Sequence, residues 1–185
     1  MTTTTVSHAQ NPVSVPGAGV ESRRFQQISL GLIRLGVGWA LFWSGLDKVF
    51  GLGHPTTPEQ SVLAGASPTK GFLLYGLPAD APAAALLKPL AGNPVADTLF
   101  LLATLGAGLA LILGVGTRLA AVGGAVLMLN LWFASLPLEY NPFLDQHLFY
   151  AIGLISVLAF DSGRYLGLGT VWRRLPFVRT QPWLY

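Results

Sequence analysis

Ile28-Ser-Leu-Gly-Leu-Ile-Arg-Leu-Gly-Val-Gly-Trp-Ala-Leu-Phe-Trp-Ser-Gly-Leu-Asp-Lys-Val-Phe50 is the stretch that decides the fold. At about 1.5 Å per residue it is long enough for a hydrocarbon core of roughly 30 Å, and Arg23 and Arg24 stand just before it. This predicts a membrane-spanning helix. A plain anchor would not carry Arg34 inside one end, Asp47 and Lys48 at the other, and Trp39 and Trp43 four residues apart on one face. Gly31, Arg34, Gly38, Leu41, Gly45 and Lys48 follow one another at spacings of three and four, so they share a stripe of the helix. Glycines on that stripe admit a second helix, and the ionisable groups then face protein; for Arg34 the alternative is snorkelling to the nearer headgroups.

The rest of the chain agrees with this class. Of 185 residues, 52% are hydrophobic and only 10% charged, the balance of a polytopic membrane protein with one membrane domain. The net charge of +3 is spread beside apolar runs, which is a topology signal and not a nucleic-acid patch. There is no cysteine, so thiol relays, persulfide transfer and thiolate-held iron-sulfur clusters are excluded from this chain. His8, His54 and His147 lie in a tail, a loop and near a helix start, and no metal or haem site is expected from them.

Residues 1–24, rich in Thr, Ser, Pro and Gly, are expected to be a disordered tail. The membrane domain, residues 25–163, is an all-α, four-transmembrane-helix bundle with spans at about 28–50, 95–113, 119–136 and 143–160. The connection 51–94 is a long outer loop, read as a lid, with short apolar pieces at 71–77 and 83–90. Asn93 caps the second span, where Gly106, Ala110 and Gly114 recur every four residues. The fourth span is read as opening with Asn141-Pro142 and Asp145, punctuation that repeats Asn93, Pro94 and Asp97. Residues 164–185 alternate arginines with aromatics, as a tail lying at the membrane surface would. Arg23, Arg24, Arg118 and the tail arginines fall on one side of this model, so both termini are expected in the cytoplasm and the long loop outside.

That topology gathers Asp47, Lys48, Lys70, Asp97, Glu139, Asn141, Asp145, His147 and Tyr150 at the outer mouth. Carboxylates, an ammonium and an imidazole beside Trp39, Trp43 and Trp132 are the ingredients of a quinone headgroup site. Each has a plainer role: Asp97 and Asp145 as helix-start charges, the tryptophans as interface belt. Asp47 and Lys48 are expected to pair with other helices and not with each other, and Asp145 and His147, two apart, do not share a helix face.

Phe42-Trp-Ser-Gly-Leu-Asp-Lys-Val-Phe-Gly-Leu52, Ala64-Gly-Ala-Ser-Pro-Thr-Lys-Gly-Phe-Leu73, Leu90-Ala-Gly-Asn-Pro-Val95, Asn141-Pro-Phe-Leu-Asp-Gln-His147, and Gly163-Arg-Tyr-Leu-Gly-Leu-Gly169 with Pro182-Trp-Leu resemble the DoxX/DoxD family. The likeness is nearest to the DoxD-type membrane subunit of thiosulfate:quinone oxidoreductase. It implies four spans in a bacterial or archaeal cytoplasmic membrane, oxidation of thiosulfate to tetrathionate on the outer side, and electrons passed to membrane quinone. Thiosulfate is a dianion, which points to Lys48 and Lys70 as its binding groups. Asp47, Asp145 and His147 are the candidates for orientation and proton transfer, and Arg34, Trp39, Trp43, Trp132 and Tyr150 for the quinone. The resembled enzyme has a separate DoxA subunit, which this chain does not contain. Two alternatives stay open: a noncatalytic membrane partner of a respiratory or redox complex, and a small carrier or lipid-binding bundle.

Overall fold

The computed structural model describes residues 18–184. The first helix, α1 (Ala18–Phe50), takes in residues 18–24 of the expected tail; the remainder of that tail lies outside the described residues. It is followed by α2 (Pro94–Leu113), α3 (Thr117–Ala134) and α4 (Gln146–Ala159). α1, α2 and α3 are each long and apolar enough to cross a membrane, while α4 is apolar but only 14 residues long. Residues 51–93 form short turns, among them Pro58–Gln60, Phe72–Gly76 and Ala84–Leu87. No strand occurs among the described residues.

The stripe on α1 is the seam of the bundle. Gly31, Arg34, Gly38, Leu41 and Gly45 are all buried, while Leu32, Ile33, Trp39 and Trp43 are exposed. Lipid tails are as apolar as leucine, so close packing and internal hydrogen bonds hold such helices together. Gly108 of α2 shows how close the packing is. A Cβ there would lie 2.5 Å from the Phe42 backbone nitrogen, so α1 and α2 touch backbone to backbone. The face used on α2 is Thr104, Ala107, Gly108 and Leu111, one step away from the four-residue repeat that begins at Gly106. Gly106 itself has open space where a Cβ would stand. Small residues show where helices are able to approach; the register of the partner decides where they do. We therefore expect Gly108→Ala to separate the two helices and lower the melting temperature by many degrees, whereas Gly106→Ala raises helix propensity and is neutral or mildly stabilising, by up to ~1 kcal/mol. Thermal scans of both variants in one detergent check the pair.

At one end of the bundle Arg34 does not snorkel. Its side chain is fully buried, about 20 Å along α1 from Asp47. Its Nη1 donates to the Leu111 carbonyl and, at 3.1 Å, to that of Ile112, both in the last turn of α2 where carbonyls run short of helical partners. Nη2 donates to Tyr165 at 2.8 Å and Leu166 at 2.9 Å, in the segment after α4. Only Nε lacks a partner. Leu166 sits at φ +53°, in the left-handed region, and its side chain fills the space over Gly31. The segment is further tied by Leu168 N–H to the Leu113 carbonyl at 2.7 Å, and Val178 beyond it is fully buried. Asp161 accepts from Arg164 at 2.9 Å and from Arg173, Trp172 Nε1 donates to Leu184 at 2.7 Å, and Arg118 donates to Pro182 at 3.1 Å. The C-terminal segment is thus bound across this end of the bundle, with Phe177, Trp183 and Arg179 exposed.

Candidate functional site

The opposite end is organised by two carboxylates. Asp47, 1% exposed, accepts the His54 N–H on Oδ1 at 2.8 Å and the Thr56 N–H on Oδ2 at 3.0 Å. Lys48 Nζ donates to the Thr56 hydroxyl at 2.8 Å. Adjacent residues of α1 therefore hold one loop residue from two sides, where sequence spacing pointed to separate partners on other helices. Gly51, at φ +66° and pressed against the Thr57–Pro58 backbone, lets the chain turn back over Asp47. Further along, Asp97 in the first turn of α2 accepts the Ser67 hydroxyl at 2.8 Å and the Thr69 hydroxyl at 2.5 Å on the same oxygen. Ser67 in turn accepts the Lys70 N–H at 3.1 Å. One carboxylate fixes the beginning of the loop and the other its middle.

Between these clamps lies a half-open cavity of about 650 Å³. Lys48 and Lys70 both line it, with Thr56, Gln60, Ser67 and Tyr75 as further polar groups, and no carboxylate contributes to its wall. A hollow with two ammonium groups and hydroxyls suits a small anion. Asp47 and Asp97 do not line it but stand behind its wall, each occupied by donors of the loop, Thr56 and Ser67 of the lining among them. A second hollow, about 340 Å³ near the Arg34 end, is lined by Phe25, Gln26, Ser29, Leu30 and Phe160 and holds no charged group.

Asp145 and His147 do meet. Asp145 is the N-cap of α4 in extended conformation, at φ −126° and ψ −177°, so helix-face spacing does not apply to it. Its Oδ1 accepts the Leu148 N–H at 2.9 Å while Oδ2 contacts His147 Nδ1 at 2.6 Å, so Nε2 is the nitrogen not engaged by Asp145. Asn141, expected to start this helix, instead accepts the N–H groups of Phe143 and Leu144 in a turn before it. The resemblance to Asn93 is thus local, since Asn93 caps α2 directly. Burial would raise the Asp145 carboxyl, but the Leu148 N–H and the His147 imidazole hold it below its ordinary range. A depressed carboxylate stabilises above its unfolded pKa, about 3.9, and the effect is lost as pH falls through the lower folded value. The Leu148 amide should therefore stay protected from exchange at pH 5, and Asp145→Ala should cost about 1 kcal/mol of cap.

The aromatic candidates separate into groups. Trp39 and Trp43 stack on the exposed face of α1, centroids 5.8 Å apart at 29°, and His54 continues the row at 6.1 Å from Trp43. Trp132 belongs to another contact: its Nε1 donates to the Phe143 carbonyl at 2.9 Å and its ring meets Phe143 edge-on. Tyr150 packs against the apolar core, and Arg34 lies at the far end, fully buried. The structure brings Lys48 to Lys70, Asp145 to His147 and Trp39 to Trp43, and leaves Arg34, Trp132 and Tyr150 outside these groupings. Sequence reasoning passed over His54, Thr56, Ser67 and Thr69. The signal available was local: hydroxyl residues in Pro-containing turns, His54-Pro-Thr-Thr57 and Ser67-Pro-Thr-Lys70.

A family model described as DoxX matches residues 29–136, more than half of the chain. The matched region begins inside α1 and ends beyond α3, so it includes both clamps and the lysine cavity. No curated protein and no solved structure matches the chain.

Proposed function

The chain belongs to the DoxX family of membrane proteins, and from that premise we propose that it is the membrane subunit of a quinone-linked oxidoreductase whose electron donor is a small oxyanion of sulfur, thiosulfate first among them. One observation carries this reading: Lys48 on α1 and Lys70 in the loop line one cavity whose wall contains no carboxylate. In the proposed orientation the loop faces outside, both termini face the cytoplasm, and α4 completes a four-span bundle.

In the balanced reaction two thiosulfate dianions join through a sulfur–sulfur bond to give tetrathionate, releasing two electrons. Membrane quinone, when bound, accepts those two electrons with two protons and becomes the quinol. The lysines supply the positive charge that offsets the mutual repulsion of two dianions held near each other. The Thr56 hydroxyl, which accepts from Lys48, fixes that ammonium in the cavity wall. His147, held by Asp145, exchanges protons with the outside through Nε2. A DoxA-like subunit or a respiratory complex is part of the proposal, because a chain without cysteine has no thiol to carry electrons between the two half-reactions.

The test is thiosulfate binding by calorimetry, together with thiosulfate-dependent reduction of a soluble quinone analogue, using the full chain in detergent with and without any copurifying subunit. Lys48→Ala and Lys70→Ala should each weaken thiosulfate binding roughly tenfold or more, with the attraction falling as salt rises. Unchanged binding in both variants removes the cavity from the reaction. Absence of turnover in every preparation favours a docking partner of a redox complex.

A further inference from the structure

The row of rings on α1 ends in a group that the reaction above leaves unused. Trp39 is 54% and Trp43 37% exposed, on the side of α1 away from the buried stripe, and the two are stacked one turn apart. His54 stands at the end of the row, exposed, tilted 49° to Trp43. Its main chain is fixed by the Asp47 carboxylate, yet its imidazole nitrogens make no hydrogen bond among the described residues. Here two indoles are stacked on each other and partly exposed on the outside of α1, and His54, with its main chain anchored, stands at the end of the row.

We propose that Trp39, Trp43 and His54 form a docking platform for the ring of a membrane quinone, entered sideways from the lipid. This rests on the quinone-linked reading above and gives it a place. A planar ring with two carbonyl oxygens is matched by an exposed aromatic face for stacking and an imidazole N–H for one carbonyl. Its isoprenoid tail stays in the hydrocarbon along α1, where Leu32 and Ile33 are exposed. The platform also has the right neighbour. His54 is followed directly by Pro55 and Thr56, which line the lysine cavity, so the acceptor and the anion lie on two sides of one turn held by Asp47. Trp132, by contrast, has its N–H taken by Phe143, and Tyr150 is packed into the core.

The experiment uses the full chain in lipid nanodiscs with a photoreactive azidoquinone, its attachment mapped by mass spectrometry and its affinity followed by competition with unlabelled quinone. Saturable labelling within residues 39–54 is expected. The W39L/W43L double variant should weaken binding roughly five- to tenfold or more, His54→Leu by a similar factor, and His54→Gln, which keeps a donor, by much less. All three positions are exposed, so unchanged gel-filtration behaviour is expected for each variant. Saturable labelling confined to other segments would overturn the platform and leave the quinone-linked reading standing. Undiminished affinity in the double variant would do the same. Absence of saturable labelling anywhere would overturn both, whereas thiosulfate binding at the lysine cavity is measured separately and does not depend on the label.

Discussion

Arg34→Lys is expected to release the segment Ser162–Gly169 from the bundle while the four helices stay assembled. The guanidinium fork reaches two carbonyls at the end of α2 through Nη1 and two beyond α4 through Nη2. A lysine ammonium is a single point on a flexible stem and cannot span both pairs. Hydrogen bonds from a charged donor are worth about 1.5–3 kcal/mol each, so losing two on one side costs about 3–6 kcal/mol. The reporter is the Leu168 amide, bonded to the Leu113 carbonyl: its hydrogen exchange should accelerate by several orders of magnitude, and trypsin should begin to cut at Arg164. Gly169→Ala should produce the same release by another route, because its Cβ would collide with the Gly163 backbone carbonyl. Unchanged Leu168 exchange in Arg34→Lys would show that the segment is held without the arginine.

The difference between what was readable and what was not follows from sequence distance. The stripe Gly31, Arg34, Gly38, Leu41, Gly45 was legible because helical period is a local property and five of its members are buried as the spacing required. The partners of Arg34 were not, since they lie 77 and 131 residues away along the chain and are backbone carbonyls, which every residue possesses. In the same way, glycine spacing on α2 pointed to Gly106 where the contact is made by Gly108. Asp145 and His147 were kept apart by applying helical geometry to a residue that is still extended. Lys48 and Lys70 were each legible as outer-mouth cations, but their convergence on one hollow depends on how Asp47 and Asp97 fold the loop between them.

That dependence makes Asp47→Asn the second large effect, and it separates the clamp from the anion site. Asp47 receives two backbone N–H donors on two oxygens. Asparagine has the same shape but only one oxygen; its amide nitrogen would face a donor with a donor. Leaving a buried N–H unpaired costs about 1–3 kcal/mol, and losing the charge weakens the bond that remains. The turn at His54–Thr56 should therefore open, displacing Thr56 from Lys48 and His54 from Trp43 together. The expected signature is joint loss of thiosulfate binding and of quinone labelling, with rapid exchange at the His54 and Thr56 amides. Lys70→Ala should weaken only the first and leave those amides protected, because the Lys70 side chain closes no clamp. Asp97→Asn should be milder than either, since one oxygen accepts both hydroxyls and an amide oxygen can still do so. If Asp47→Asn keeps its loop amides protected yet loses turnover, the carboxylate itself takes part in the chemistry; if the loop opens as described, Asp47 acts by placing Lys48, Thr56 and His54, and its influence on both substrates has one physical cause.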